Sequence, residues 1–73
     1  MAMIKVGTKV RYRGCFGMGQ PEVVKVERIE RSTEKRSKYG KEVAGVPFAE
    51  REYCTFDLNN GHWCYGDQID EIV

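Results

Sequence analysis

The sequence contains no long apolar run and no cysteine pair of the Cys-x-x-Cys kind, and each absence excludes a class of protein. A helix that crosses a bilayer needs about 20 consecutive apolar residues, so we expect no membrane partner. The three cysteines are Cys15, Cys54 and Cys64. A secreted domain of this size usually carries an even number of cysteines in a disulfide framework. The sequence therefore predicts a reducing, cytoplasmic location.

Proline is also scarce, and the net charge is close to zero. Two prolines among 73 residues, with 41% hydrophobic and 32% charged side chains, are typical of a globular chain. A chain of this length has room for one small core, so we predict a single domain over residues 1–73. The net charge of +1 argues against a dedicated polyanion-binding protein.

The charges are nevertheless distributed unevenly along the chain. Residues 1–41 carry eleven of the twelve Lys and Arg side chains and four Glu, a net +7, whereas residues 42–73 carry one Arg and seven carboxylates, a net −6. Such asymmetry is one signature of a nucleic-acid-binding face. The alternative, which we favour, is that the two halves neutralise each other across paired strands.

Apolar and polar residues alternate with a period of two, which predicts strands. In Lys9–Arg13, Val10 and Tyr12 point to one side and the three cations to the other, as in a half-buried strand with a basic outer face. A second strand is predicted from Glu22 to Arg31. Its apolar residues change parity between Val26 and Ile29, which indicates a β-bulge near residues 27–28. Strongly bent strands of this kind form the corners of small barrels.

A long connector is predicted between the second and third strands, over residues 31–52. Residues 31–42 are polar and show no period, so we expect an exposed, mobile loop. Val43, Val46 and Phe48 follow, and we expect them to fold back over one open end of the barrel. Pro47 argues against a central strand there, because proline cannot donate to a sheet ladder.

The strongest local signal is a β-hairpin near the end of the sequence. Residues 53–58 and 62–65 alternate as strands around the turn Asn59-Asn60-Gly61. Residues 66–68 then predict a tight turn or a single turn of 3₁₀ helix, and residues 69–73 a short last strand.

The hairpin turn allows two registers, and they place the aromatic residues on opposite faces. With a two-residue turn at Asn60-Gly61, Trp63 and Tyr65 belong to the core. With a three-residue loop ending in a glycine bulge, Phe56 faces Cys64, and the two aromatics join Tyr53 on the outer face. A shift of one residue exchanges the faces of a strand. We favour the two-residue turn, because burying large aromatics stabilises a small core most.

Three segments of the sequence resemble the SH3-like small barrels, and among these the Tudor- and KOW-type domains. Residues 6–12 (Val-Gly-Thr-Lys-Val-Arg-Tyr) look like their opening strand, residues 56–61 (Phe-Asp-Leu-Asn-Asn-Gly) are similar to their hairpin apex, and residues 67–72 (Asp-Gln-Ile-Asp-Glu-Ile) look like their closing segment. The resemblance implies an all-β fold, a single small SH3-like antiparallel barrel of about five strands. It also implies a binding module without catalytic activity.

The resemblance further implies a ligand site built from aromatic side chains, since Tudor domains hold methylated lysine or arginine in an aromatic cage. The matching positions here are Tyr53, Trp63 and Tyr65, with Asp57 nearby. Tyr12 is a further aromatic candidate, but its place in the alternating first strand favours the core.

Nucleic-acid binding is the alternative function, because basic residues with an aromatic neighbour can grip phosphates and stack on a base. The candidates lie in the loop of residues 31–41 and on the outer face of the first strand: Arg11, Arg13, Arg31, Lys35, Arg36, Lys38, Tyr39 and Lys41. The competing interpretation is that the cations of the first strand pair with Asp67, Asp70 and Glu71 of the closing segment.

Other chemistry finds little support in the sequence. Cys54, His62 and Cys64 match no structural zinc spacing, and nothing places Cys15 beside His62 as a nucleophile and base. We therefore expect no metal, no cofactor and no enzymatic activity. The predicted function is a protein- or peptide-binding adaptor, with nucleic-acid binding as the alternative and self-association into a homo-oligomer as a further expectation.

Overall fold

The structure, a computed structural model, describes residues 2–14, 20–37 and 40–73. Within these residues the chain forms short strands and two 3₁₀ helices, and no α-helix. The elements in chain order are β1 (Met3–Lys5), β2 (Lys9–Arg13), β3 (Pro21–Arg31), β4 (Lys41–Val43), β5 (Gly45–Pro47), a longer 3₁₀ helix (Phe48–Tyr53), β6 (Cys54–Leu58), β7 (Trp63–Tyr65), a shorter 3₁₀ helix (Gly66–Gln68) and β8 (Ile69–Ile72). The predicted all-β class is confirmed.

The main sheet has the order β7-β6-β3-β2-β8, and every pairing in it is antiparallel. The last strand therefore returns to pair with β2. Strand β4 adds to one edge of β3, and β1 pairs with β5 in a separate two-stranded sheet. No pairing joins the edge strands β7 and β8 within the described residues, so a closed barrel is not found there.

Strands β2 and β3 follow the alternation that the sequence shows. Val10 and Tyr12 are buried while Lys9 and Arg13 are exposed. The pairing of β3 with β6 shifts register between Val26 and Arg28. This confirms the predicted β-bulge, and the extra residue lets the apolar side chains on both sides of it reach the same core.

The hairpin takes the register that we did not favour. Phe56 pairs with Cys64, and the N–H of Leu58 donates to the carbonyl of His62 at 2.9 Å, which leaves a three-residue loop. Gly61 has φ +85°, a left-handed conformation that favours glycine, and the N–H of His62 donates to the Asn60 side chain at 3.0 Å. The prediction of a two-residue turn was therefore wrong.

The same correction moves Trp63 and Tyr65 out of the core. Phe56, Leu58 and Cys64 point inward in the observed register, and all three are buried. In the hairpin, the ring of Phe56 and the small thiol of Cys64 fill the available core space, so the larger indole of Trp63 is left outside. The buried residues are Ile4, Val10, Tyr12, Val24, Val26, Ile29, Val46, Cys54, Thr55, Phe56, Leu58, Cys64 and Ile69.

The connector contains more regular structure than its sequence predicts. Strand β3 continues to Arg31 and β4 begins at Lys41, so the two ends of the predicted loop pair with each other. Val46 pairs with Ile4, and both are fully buried, so this part of the connector folds back onto the core as expected. The mobility of residues 31–42 stays a prediction, and Lys38 and Tyr39 lie outside the described residues.

Arg51 fastens the longer 3₁₀ helix to the start of the last strand. Its Nε donates to the carbonyl of Ile69 at 3.0 Å, and its Nη1 donates to the carbonyl of Phe48 at 3.0 Å. The guanidinium also lies over the Phe48 ring, 4.0 Å from its centroid. The shorter 3₁₀ helix, which the sequence predicted, packs beside this helix with Gly66 against the backbone of Arg51.

Candidate ligand-binding face

One face of the sheet, made by β3, β6 and β7, carries aromatic and acidic side chains, of which Trp63 is exposed and Glu30, Asp57 and Tyr65 are half-buried. The register sets Glu30 beside Thr55 and Thr55 beside Tyr65, and it sets Asp57 beside Trp63. We call these five residues the outer hairpin face. Because β7 is an edge strand of the sheet, Trp63 and Tyr65 stand at the border of this surface.

Trp63 is the largest exposed apolar side chain on the outer hairpin face. Its accessible fraction is 46%, and its ring packs edge-on against that of Tyr65 with centroids 5.1 Å apart. An open groove of about 240 Å³ lies beside it, lined by Glu30, Thr55, Asp57 and Trp63. A groove with one wall of indole and polar groups opposite offers both apolar contact and hydrogen bonding to a ligand.

The groove carries a surplus of negative charge. Glu30 pairs in register with Glu42, and the Arg28 guanidinium is shared between them at 3.8 Å from Glu30 and 3.5 Å from Glu42. Asp57 forms no ion pair with any cation in the described part of the chain. Glu30 and Asp57 line the groove, whereas Glu42 does not, and Arg28 is the cross-strand neighbour of Asp57. Two carboxylates against one guanidinium, next to an exposed indole, favour a cationic ligand.

Tyr53 lies at the border of this region and not in the groove. It ends the longer 3₁₀ helix and is half-buried, with Arg31 and Lys35 each 6.0 Å from its ring centroid. The hydrogen bond from Lys35 to Glu52, at 3.1 Å, raises the pKa of that ammonium. Of the four predicted ligand-binding residues, the structure brings Asp57, Trp63 and Tyr65 together and sets Tyr53 apart, beside cations of the chain itself.

Tyr65 is also covered in part by a cation. The guanidinium of Arg36 lies 4.3 Å from the centroid of the Tyr65 ring and is ion-paired with Asp67. The backbone N–H of Tyr65 donates to Oε1 of Gln68 at 2.9 Å, which holds the Tyr65 backbone next to the shorter 3₁₀ helix that carries Asp67. One cation of the connector thus rests on the outer hairpin face.

The candidate nucleic-acid residues are largely paired with carboxylates. Arg13 meets Asp70 at 3.0 Å, and Arg11 pairs with Glu71, so two cations of β2 pair across to β8 as the competing interpretation expected. The pairs in the connector are Arg31 with Glu50, Lys35 with Glu52 and Arg36 with Asp67. Lys41 is exposed, and Lys38 and Tyr39 lie outside the described residues. The opposite charges of the two halves therefore meet in the fold.

The two cysteines that the structure describes are buried. Burial, together with the smaller effect of the nearby carboxylates of Asp67 and Asp57, raises the pKa of the Cys64 thiol to about 12. Burial also raises the pKa of Cys54. His62 is exposed in the hairpin loop, and no group of three metal-ligating side chains is found among residues 2–14, 20–37 and 40–73. Cys15 lies outside the described residues.

Two contributors to this face were missed at the level of sequence. Glu30 lies on the outer side of β3 only because the bulge shifts the register. Counting alternate residues from the predicted bulge would have placed Glu30 on this side. Arg36 reaches Tyr65 from a segment without period, and no local pattern could have paired them.

No helix of the described residues is long and apolar enough to cross a membrane.

Comparison of the chain with protein-family models, with curated proteins and with solved structures gives no match.

Proposed function

We propose that the protein is a non-enzymatic peptide-binding module with an SH3-like architecture, and that it binds its ligand on the outer hairpin face. Two features support the architecture. Strand β2 pairs with both β3 and β8, and a single 3₁₀ turn precedes the last strand. This order is similar to that of the SH3-like barrels.

The observation that carries the proposed function is the exposure of Trp63 beside the acidic groove. A tryptophan with 46% of its surface accessible contributes little to the core. Exposed aromatic residues are enriched at binding surfaces, because they provide large contact area at a low cost in conformational entropy. Here the indole stands next to Asp57 and Glu30.

The charges of the groove define the ligand that we propose, a peptide with a Lys or Arg side chain. Such a cation would lie against the indole of Trp63 and be paired by Asp57, which lacks an ion-pair partner in the described residues. A cation on an exposed aromatic ring is stabilised by about 0.5–1 kcal/mol. The peptide backbone and neighbouring side chains would supply the rest of the affinity.

A fluorescence titration tests this proposal, because Trp63 is the single tryptophan of the chain. Peptides with one central Lys or Arg would be added to the protein, alongside matched peptides with Glu at that position. We expect saturable changes in Trp63 emission with the cationic peptides alone. A response that is equal for the Glu peptides, or absent for all of them, would contradict the proposal.

A control pair separates the site from general surface effects. Trp63→Ala should weaken peptide binding measured by NMR severalfold, whereas Val23→Ala should leave it unchanged. Val23 is the matched control because it is also 46% exposed but lies on β3 where that strand pairs with β2.

The nucleic-acid alternative makes a different prediction for the same protein. Its phosphate contacts would require Arg11, Arg13 and the connector cations to exchange their carboxylate partners for phosphates. Affinity for mixed-sequence oligonucleotides would then fall steeply between low and moderate salt, as counterions compete. Fluorescence polarisation at two salt concentrations distinguishes the two functions, and we expect no oligonucleotide binding.

A further inference from the structure

Arg36 is held in an unusual backbone conformation directly above the outer hairpin face. Its φ of 55° is left-handed, and it is the one non-glycine residue with a positive φ in the described part of the chain. A non-glycine residue in this region is strained, and it persists where surrounding contacts hold it. We therefore attribute the backbone conformation of Arg36 to its contacts.

Three contacts hold this residue. The guanidinium lies 4.3 Å from the centroid of the Tyr65 ring and is ion-paired with Asp67. The backbone N–H of Arg36 donates to the carbonyl of Glu52 at 3.1 Å. Two of the three are made by the side chain, and both are contacts that any arginine could make with the same ring and carboxylate.

We propose that Tyr65 and Asp67 form a binding site for an arginine side chain of the partner peptide, and that Arg36 fills this site as a built-in competitor in the unbound protein. This inference rests on the proposed function and deepens it. A planar guanidinium can stack on a ring and pair with a carboxylate at once, which a compact ammonium group does less well. The ligand class is therefore an arginine-containing peptide.

The position of the site agrees with this role. Tyr65 packs against Trp63, so an arginine over Tyr65 would lie next to the groove that Trp63 borders. When Arg36 leaves, one face of the Tyr65 ring becomes part of the same surface. Groove and guanidinium site would then bind adjacent side chains of one peptide.

The contacts of Arg36 are also exposed enough to be exchanged. The side chains of Arg36 and Asp67 are 46% and 36% accessible. An ion pair at such exposure is weak, so a partner arginine can replace it. An internal competitor lowers the apparent affinity of the site by the fraction of time that it is occupied. Release of residues 32–37 would thus regulate binding.

The variant Arg36→Gly provides the sharpest test, because glycine tolerates a positive φ and the backbone turn can remain. The matched control is Lys41→Ala, which removes one positive charge from the same connector without touching Tyr65 or Asp67. The probes are the pentapeptides Gly-Gly-Arg-Gly-Gly and Gly-Gly-Lys-Gly-Gly, and their binding is followed by NMR and by Trp63 fluorescence.

We expect Arg36→Gly to bind the arginine peptide roughly threefold to tenfold more tightly than the wild-type protein, the range expected for losing one cation–π contact and one exposed ion pair. Lys41→Ala should bind like the wild type. Adding Asp67→Asn to Arg36→Gly should remove the preference for arginine over lysine. Equal affinities of folded Arg36→Gly and wild type for the arginine peptide would overturn the proposal.

The wild-type protein provides a second measurement if Arg36→Gly does not fold. In an NMR titration with the arginine peptide, the Arg36 Nε–H resonance must shift along the same curve as the Trp63 indole resonance. A peptide that shifts Trp63 and leaves Arg36 unchanged overturns the competitor and leaves peptide binding standing. Failure of both peptides to bind either protein overturns the proposed function and this inference with it.

Discussion

The ring of Trp63 meets the ring of Tyr65 edge-on, with 5.1 Å between centroids and 82° between planes. This contact exists because both side chains point to the outer face of the hairpin, on either side of the buried Cys64. It therefore follows directly from the three-residue turn. In the alternative register, both rings would lie inside.

Substitution at two positions of the hairpin distinguishes the faces. Phe56→Ala removes a fully buried ring, and we expect a loss of roughly 3–5 kcal/mol, enough to unfold much of a domain this small. Trp63→Ala removes an exposed ring and one aromatic contact, so we expect a loss of about 1 kcal/mol. Urea unfolding followed by circular dichroism measures both, and equal losses would place Trp63 in the core.

Alanine substitutions at Gly66 and Gly61 test two different reasons for glycine: lack of space for a Cβ at Gly66, and a left-handed backbone conformation at Gly61. A Cβ at Gly66 would overlap the carbonyl oxygen of Arg51, so the two 3₁₀ helices would have to separate. A Cβ at Gly61 meets open space, so alanine there is destabilising only because it must adopt a left-handed φ. We expect losses of more than about 3 kcal/mol for Gly66→Ala and about 1–2 kcal/mol for Gly61→Ala. Equal melting temperatures of the two variants in thermal unfolding would contradict this prediction.

The parts of the fold that the sequence predicted are those set by local pattern. The alternation of Val10 and Tyr12 places β2, and the parity change after Val26 places the bulge in β3. Both signals lie within a few residues of the feature that they predict. The tight turn at residues 66–68 is of the same kind.

The parts that could not be predicted depend on distant contacts or on one residue of register. The sequence Asn59-Asn60-Gly61 fits two turns, and the choice between them is made by how the whole core packs. Strands β1 and β5 have three residues each and exist because Ile4 and Val46 are buried together. The contact of Arg36 with Tyr65 joins residues far apart in the chain.

Replacement of Arg51 by lysine should destabilise the protein although the charge is retained. Its two hydrogen bonds to the carbonyls of Phe48 and Ile69 need the fixed fork of a guanidinium. We expect Arg51→Lys to lose about 1–3 kcal/mol, the range for hydrogen bonds from a charged donor. Urea unfolding provides the measurement.

Arg28→Lys is the control for that substitution. Arg28 pairs with Glu30 and Glu42 on an exposed surface, where a pair contributes about 0–1 kcal/mol. Its replacement by lysine should therefore change the free energy of unfolding very little. A cost at position 28 as large as that at position 51 would show that charge, and not the fork, is what Arg51 provides.

The buried thiol of Cys64 should make the protein less stable in alkali. Its pKa in the folded protein is raised to about 12, chiefly by burial, whereas a thiol in the unfolded chain titrates near about 8.5. Below that lower value both states keep the proton, and the full stability is present. As the pH rises between the two values, the unfolded state alone loses its proton, so unfolding becomes more favourable by at most about 1.4 kcal/mol per pH unit.

Comparison of the wild type with Cys64→Ala isolates this contribution, because the lysines and tyrosines titrate in both proteins. We expect the free energy of unfolding to fall less between about pH 8 and pH 11 in Cys64→Ala than in the wild type. The variant should start lower, since it loses a buried sulfur atom, and the two curves should converge in alkali. Native Cys64 should also resist iodoacetamide until the protein unfolds, because the thiolate is the reacting form. Parallel stability curves, or rapid alkylation of the folded protein, would mean that this thiol is not shielded by the hairpin.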